Sequence, residues 1–229
     1  MGLTFSAVAG ELPLVQRVWT ASCHAATGFA SAVKAASLIS FVRHDGRTTV
    51  HVHGPETAGT SLTCEEGSEY FGVELRLGAY LPLHPPSGLT DHRDALLPVL
   101  PRDRILLDHR EWELPTAQNV DVFVSRLIRA GLLLFDPLVD DIRHGERPRG
   151  MSERSAQLRF RRATGLSHRK VVSIEQARHA AQLLMAGRSI TDVVTACGYY
   201  DHPHLTRAMR WATGHTPSEL RSGISFLAL

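Results

Sequence analysis

Apolar residues recur every three or four positions through the second half of the chain, a spacing that predicts amphipathic helices. The first such helix begins at Thr116, a predicted N-cap, and ends at Gly131. A short helix is predicted over residues 136–145, and a longer one over residues 167–186. Residues 116–229 are therefore expected to form an all-helical domain.

Two further predicted helices share one layout. A residue able to cap the helix start, Ser152 or Asp201, precedes each of them, and each ends in the tripeptide Ala-Thr-Gly at residues 163–165 or 212–214. The second follows a short apolar helix from Ser189 and a turn at Gly198, which is a helix-turn-helix arrangement. The residues predicted to face the core are Ala156, Phe160 and Ala163 in the first helix and Leu205, Ala208, Met209 and Ala212 in the second.

The first half of the chain has the pattern of short strands. Runs rich in β-branched and aromatic residues occupy positions 37–42, 48–52 and 70–77, and turn residues such as Asp45-Gly46 separate them. Residues 81–101 are proline-rich and are predicted to be loop with one short helix over 95–100. The fold class is predicted to be α+β, with a β-rich barrel or sandwich over residues 1–115 and the helical domain over 116–229.

Charge is divided unevenly between these halves. The 229 residues carry a net charge of +2, but residues 1–115 hold 9 Lys/Arg and 13 Asp/Glu, whereas the remainder holds 16 and 10. The halves therefore carry −4 and +6. This asymmetry predicts that a polyanion binds to the second half.

The remaining bulk features point to a soluble cytoplasmic protein. Hydrophobic residues make up 43% of the chain, but none of its apolar runs is long enough for a membrane span, and no secretory leader is recognisable. Cys23, Cys64 and Cys197 match no zinc or redox spacing, and we expect them to remain thiols in a reducing compartment. No enzymatic activity and no cofactor are predicted.

The outward faces of the two similar helices carry the chemistry of double-stranded DNA recognition. Arginine pairs with guanine and glutamine with adenine in the major groove, while flanking cations meet phosphate. The outward-facing residues predicted to contact DNA are Arg154, Gln157, Arg161, His202, Thr206, Arg207 and Arg210. The helix over 167–186 lies between the two in the chain and spans roughly 28 Å, against a major-groove repeat of about 34 to 36 Å. For a single basic helix, a solvent-exposed face without a ligand would be the better interpretation. Two such helices, each behind a tight turn, favour DNA binding.

Several segments carry a family signature. They are 152–154, Phe160 and 164–165 in the first unit, Ile190 and 193–194 in the next helix, and 198–201, 204–207 and 214–217 in the second unit. With these, residues 136–221 resemble the double helix-turn-helix domain of AraC/XylS-family transcription regulators. The resemblance implies base or groove contact by Arg154, Gln157, His202, Pro203, Thr206 and Arg207. Leu158 departs from the pattern, since the family often has an arginine there.

The resemblance also implies a role for the first half of the chain. In this family an N-terminal cupin-like domain commonly binds a small effector or mediates dimerisation, and residues 1–115 are similar to a divergent version of it through positions 51–56 and 71–75. A homodimer is one expectation, and the helix beginning at Thr116 could form its seam or pack between domains.

Two alternatives stay open. His51 and His53 share one face of a strand with Glu56 close behind, a conceivable metal trio that would suit a metal-dependent cupin-type enzyme with a DNA tether. Hydrogen-bonded or exposed histidines are the simpler interpretation. The second alternative is a non-specific architectural DNA binder that uses the same helices.

Overall fold

The computed structural model describes residues 2–10, 12–91, 95–146, 150–223 and 227–228. The strands are β1 Leu3–Ala9, β2 Val15–Cys23, β3 Thr27–Ser31, β4 Leu38–His44, β5 Arg47–His53, β6 Thr60–Cys64, β7 Glu69–Leu75, β8 Ala79–Tyr80, β9 Ala95–Leu97, β10 Val99–Leu100, β11 Arg104–Leu107, β12 Arg110–Glu113, β13 Leu134–Phe135 and β14 Leu227–Ala228. The helices are α1 Pro86–Leu89, α2 Val120–Arg129, α3 Leu138–Arg143, α4 Glu153–Thr164, α5 His168–Met185, α6 Ile190–Ala196, α7 His202–Thr213 and α8 Pro217–Ser222. A β-rich first half followed by a helical second half confirms the predicted α+β class.

The chain forms two compact units. The first comprises Met1–Thr27, Ala36–Pro55 and Glu65–His168, and the second comprises Gly28–Ala35, Glu56–Cys64 and Arg169–Leu229. The first unit thus extends well past residue 115, and the second includes two segments from the first half. These two units do not coincide with the predicted domains 1–115 and 116–229, and the boundary near residue 115 stays a prediction.

A six-stranded antiparallel sheet forms the centre of the first unit, in the order β1-β2-β7-β4-β5-β9. β4 and β5 form a hairpin in which Asp45 and Gly46 both have positive φ, 47° and 70°, as the tight turn between twisted strands requires. β1 and β9 are the edges, and no pairing between them occurs among the described residues. The strand pairing is therefore that of an open sheet, and closure into a barrel stays a prediction.

The core of the first unit lies on one face of this sheet and is completed by α2. Phe123, Val124 and Leu127 are buried in the same apolar cluster as Val73 and Leu75 of β7. The apolar face of α2 is therefore used inside the unit. The helix starts later than predicted because Asn119 is the N-cap and its side-chain oxygen accepts from the backbone N–H of Thr116.

The short helix predicted over residues 95–100 was wrong. This segment forms β9 and β10, and β9 pairs with β5 through Val50 opposite Leu97. Pro98 between the two strands has no amide hydrogen to donate within a helix. The same apolar run is equally compatible with two short strands, and β5 provides the strand with which β9 pairs.

In the second unit, α5 carries a continuous buried stripe. Its members are spaced three or four positions apart and are all wholly inaccessible to solvent: Val171, Ile174, Ala177, Ala181 and Leu184. The same unit contains α6, α7 and α8, and a small sheet in the order β14-β3-β6. The predicted helical core of this region is confirmed.

The cysteine prediction needs a correction. Cys23 and Cys64 are disulfide-bonded and buried, whereas Cys197 is free. The spacing of the cysteines in the sequence does not predict the disulfide, because both lie at strand ends whose positions only the fold determines.

Among the described residues, none of the helices combines the length and apolar character that crossing a bilayer needs.

Candidate nucleic-acid interface

The first of two similar twelve-residue helices, α4, is fixed at both ends. The hydroxyl of Ser152 accepts from the backbone N–H of Ser155 at 3.2 Å, and Gly165 ends the helix in the left-handed conformation with φ 74°. Ala156, Phe160 and Ala163 are buried as predicted. α4 packs on α1, α3 and β8 within the first unit.

The opposite face of α4 is exposed. Arg154, Gln157 and Arg161 all point to solvent, as predicted. The side chains of Arg154 and Arg161 form no hydrogen bond or ion pair with any other described residue, so their guanidinium groups are free to meet an anion. The side-chain nitrogen of Gln157 donates to a carboxylate oxygen of Glu153 at 3.2 Å.

One arginine of α4 has a structural partner instead. Arg159 donates two hydrogen bonds to the Asp136 carboxylate, from Nε at 2.7 Å and from a terminal nitrogen at 2.8 Å. This hydrogen-bonded pairing raises the pKa of Arg159. The fork geometry is that of a bidentate ion pair, which occupies the donors that a phosphate or a guanine would need.

The second helix, α7, is the last part of a helix-turn-helix. α6 is capped by the hydroxyl of Ser189, which accepts from the Asp192 backbone N–H at 3.1 Å. Gly198 makes the turn with φ 69°, and the carboxylate of Asp201 then accepts from the His204 N–H at 2.7 Å to start α7. The predicted cap at Asp201 is confirmed.

Side chains around the turn hold it in place. The amide nitrogen of Gln176 on α5 donates to the Cys197 carbonyl at 2.7 Å. Tyr199 is buried, which raises its pKa to about 12, and its ring lies edge-on to His204 with the centroids 5.1 Å apart. The backbone N–H of Tyr200 donates to Nδ1 of His204 at 3.3 Å, so this imidazole acts as an acceptor within the turn.

The exposed side of α7 carries the remaining predicted contact residues. His202, Pro203, Arg207 and Arg210 are exposed, and Thr206 is half-buried. Leu205, Met209 and Ala212 are wholly buried, whereas the other predicted core residue of this helix, Ala208, is only partly covered. The Thr206 hydroxyl donates to the His202 carbonyl at 2.9 Å, which leaves its oxygen lone pairs and its methyl group for a ligand.

The carboxyl end of α7 is held by segments from the first half of the chain. The backbone N–H of Val33 donates to the Ala212 carbonyl at 2.8 Å, and that of Gly59 donates to the Trp211 carbonyl at 3.1 Å. The indole Nε1 of Trp211 donates to the Thr57 carbonyl at 2.6 Å. The two backbone bonds satisfy the Trp211 and Ala212 carbonyl groups, which the last turn of a helix leaves unpaired. No local sequence pattern predicts them.

The repeated Ala-Thr-Gly tripeptide has the same structural role in both helices. The hydroxyl of Thr164 donates to the Phe160 carbonyl at 2.9 Å, and that of Thr213 donates to the Met209 carbonyl at 2.8 Å. Glycine follows each threonine in the left-handed conformation, at φ 74° and 78°. The tripeptide is a helix-ending motif, so the repetition reflects backbone geometry.

The histidines considered as metal ligands have other partners. A ring nitrogen of His53 lies 2.7 Å from the Ser40 hydroxyl, and one of His51 lies 3.0 Å from that of Thr49. The Glu56 carboxylate is buried and lies 3.2 Å from the Lys34 ammonium. Within the described ranges, no three His, Cys, Asp or Glu side chains are grouped so that they could hold a metal ion.

Three further exposed residues on or just before α4 and α7 were not predicted from the sequence to contact DNA. Arg162 is exposed beside Arg161, Leu158 is 62% exposed, and Tyr200 is 90% exposed just before α7. Their exposed positions next to the predicted contact residues identify them.

Comparison with known proteins identifies the helical region. A family model described as a helix-turn-helix domain matches residues 149–223. No curated protein matches the chain.

Two solved structures of ToxT from Vibrio cholerae align with the chain at 9% sequence identity. The first has a TM-score of 0.41 and covers 99% of this chain and 100% of the ToxT chain. The second, ToxT bound to (E)-4-(8-methylnaphthalen-1-yl)but-3-enoic acid, has a TM-score of 0.40 and covers 95% of this chain and 97% of that one. Likenesses this distant carry no argument about this protein.

Proposed function

We propose that the chain is a sequence-specific DNA-binding transcription regulator of the AraC/XylS type, with residues 149–223 as its helix-turn-helix domain. In this proposal α4 and α7 are its two recognition helices, and each enters the major groove. The protein acts in the cytoplasm, where its DNA is, and it needs no catalytic residue or cofactor.

One observation supports the proposal above all others. α4 and α7 are capped helices of equal length, and each buries one of its sides. The exposed side of each is polar and carries cations. The side chains of Arg154, Arg161 and Arg207 on these sides have no partner among the described residues. Arg159 of α4 differs from these three, because Asp136 holds its guanidinium group. Unpaired guanidinium groups beside a capped helix start suit phosphate and guanine.

The length of α5 supports simultaneous reading by both helices. α5 has 18 residues and separates α4 from α7 in the chain. At about 1.5 Å per residue it is about 27 Å long, which is comparable with the repeat of about 34 to 36 Å between major-groove faces on one side of B-DNA. We therefore propose that the two helices enter successive grooves.

Control of this activity is assigned to the first half of the chain by family resemblance. There the β-rich region binds a small effector or joins two copies of the chain. A dimer would bind a duplicated DNA site, and a monomer a single one. Sedimentation of the protein with and without its selected DNA distinguishes these states.

Selection of bound sequences from a random DNA library tests the proposed function. We expect one site made of two short blocks centred about 10 base pairs apart, since that is one turn of the duplex. Two such sites in tandem or inverted order would indicate a dimer. Recovery of no preferred sequence at physiological salt would instead indicate an architectural binder and refute sequence-specific regulation.

Three arginine variants separate base reading from phosphate contact. Arg207→Ala should weaken binding to the selected site by about 1 to 3 kcal/mol and relax the base preference in one block. Arg161→Ala should weaken binding to all sequences and reduce the slope of log Kd against log salt by about 1. Arg47→Ala removes the same charge from the exposed first residue of β5 and serves as the control. Equal losses in all three variants would contradict the assignment.

A further inference from the structure

Leu158 is an apolar side chain in an exposed position of α4. It is 62% exposed, whereas Ala156, Phe160 and Ala163 of the same helix are at most 7% exposed. A leucine that contributes to the core of an amphipathic helix lies on its buried stripe. Leu158 therefore contributes little to the buried core, and its place among the charged side chains of α4 is what sets it apart from other exposed aliphatic residues such as Val122, which is 54% exposed.

The position of Leu158 on the helix is the centre of the cationic face. With 3.6 residues per turn, residue 158 points directly away from the middle of the stripe formed by Ala156, Phe160 and Ala163. Arg154 lies one turn before it and Arg161 one turn after it, on the same face. Any ligand that approaches the centre of this face meets an uncharged methyl-bearing tip between two cations.

Such a surface matches one feature of the major groove. Phosphates lie on both flanks of the groove and suit the two arginines, but a leucine can neither donate to nor accept from a base. The apolar group that base edges present in the major groove is the C5-methyl group of thymine. A thymine at the centre of the block read by α4 would contact Leu158 without leaving a polar base edge unpaired.

We infer that Leu158 is a specificity-determining residue of α4, which selects thymine through its methyl group. The inference rests on the proposed function, because it requires that α4 enters the major groove. It adds a base preference that no polar side chain of the helix supplies. Contact between the leucine and one methyl group excludes water from both.

Replacing thymine by uracil in the selected DNA site removes only the methyl group, so it tests the inference directly. Each thymine of the site is replaced in turn, and the dissociation constant is measured for the full chain and for Leu158→Ala. Burial of one methyl-sized group corresponds to about a fourfold change in affinity. We expect one thymine at which uracil weakens binding of the unmodified protein about fourfold and leaves Leu158→Ala unaffected.

A matched control uses another exposed aliphatic residue. Val122 on α2 is 54% exposed and belongs to the same compact unit, and Val122→Ala should keep the full response to uracil. Both variants should fold, because alanine favours helix and neither side chain is buried. Unchanged thermal unfolding establishes this for each.

The possible results separate the two proposals. If uracil costs the same in Leu158→Ala as in the unmodified protein at every thymine, Leu158 does not read the methyl group and the inference is wrong. If a site is selected and depends on Arg207, that result leaves the proposed function intact. If no site is selected at all, both fail together.

Discussion

Replacing Gly59 by alanine tests whether the segment Glu56–Cys64 supports the end of α7, the second proposed recognition helix. A Cβ atom on Gly59 would lie 2.8 Å from the Ala212 carbonyl oxygen and 3.0 Å from both the Ala212 carbonyl carbon and the Thr213 nitrogen. All three are backbone atoms, which cannot rotate aside as the end of a flexible side chain does. The segment must therefore move away, and this separates the Gly59 N–H from the Trp211 carbonyl that it reaches at 3.1 Å.

The free energy of unfolding should fall by about 2 kcal/mol. Overpacking against a rigid neighbour costs about 1 to 3 kcal/mol, and loss of one hydrogen bond costs about 0.5 to 1.5 kcal/mol. Gly59 lies outside the left-handed region, so alanine also restricts the unfolded chain and returns about 0.4 to 1 kcal/mol. In a protein of this size, a net loss of about 2 kcal/mol lowers Tm by about 4 to 8 °C.

Gly28→Ala is the matched control, because a Cβ atom there meets only the Leu62 carbonyl oxygen at 3.8 Å, an ordinary contact. Thermal unfolding of both variants measures the stability difference. Hydrogen exchange followed by mass spectrometry should show faster exchange in the last turn of α7 in Gly59→Ala alone. If the two variants share one Tm and one exchange pattern, the segment does not support the helix, and the reasoning is refuted.

Three further changes test the ends and faces of the helices. Asp201→Ala should destabilise the protein by about 1 kcal/mol in thermal unfolding, because it removes the N-cap of α7, while Asp201→Asn should restore most of that loss. Arg159→Ala should cost up to about 1 kcal/mol of stability yet leave the salt dependence of DNA binding unchanged, because Asp136 already occupies this guanidinium. Hydrogen bonds from the backbone and hydroxyl of Thr216 lower the pKa of Glu219, so the stabilisation they give is complete at neutral pH and is lost as the pH falls through that lowered pKa. Glu219→Gln keeps an acceptor oxygen for the cap and should remove this part of the pH dependence of Tm, whereas an unchanged acid profile would refute the assignment.

Helices were predictable in this chain because their signals are local. Ser152 and Asp201 cap the helices that they precede, and Gly165 and Gly214 end them. Each of these roles depends on residues no more than four positions away. The buried stripe of α5 was equally visible, since a period of 3.6 persists along the whole helix.

Strands and long-range contacts were less predictable. β2 was missed because a bulge between Val15 and Arg17 shifts the register, so its buried residues do not alternate in the regular way. The candidate DNA-contact residues were predicted from their positions on the helices, but the ion pair that occupies Arg159 of α4 depends on Asp136, 23 residues away. The support that Gly59 gives to α7 depends on even more distant parts of the chain.

The two proposed recognition helices, α4 and α7, share their backbone-fixing features and differ in their exposed side chains, which bears on the kind of site they could read. Both have a side-chain cap, twelve residues and the same Ala-Thr-Gly ending, so the repetition lies in the parts that fix the backbone. The exposed positions are unrelated: α4 offers arginine, glutamine and leucine, whereas α7 offers histidine, proline, threonine and arginine. Because direct readout depends on donors, acceptors and methyl contacts at the base edges, different side chains select different bases. The two blocks bound by one chain should therefore differ in sequence, and the bound site has a direction along the duplex even though the helices that read it are built alike.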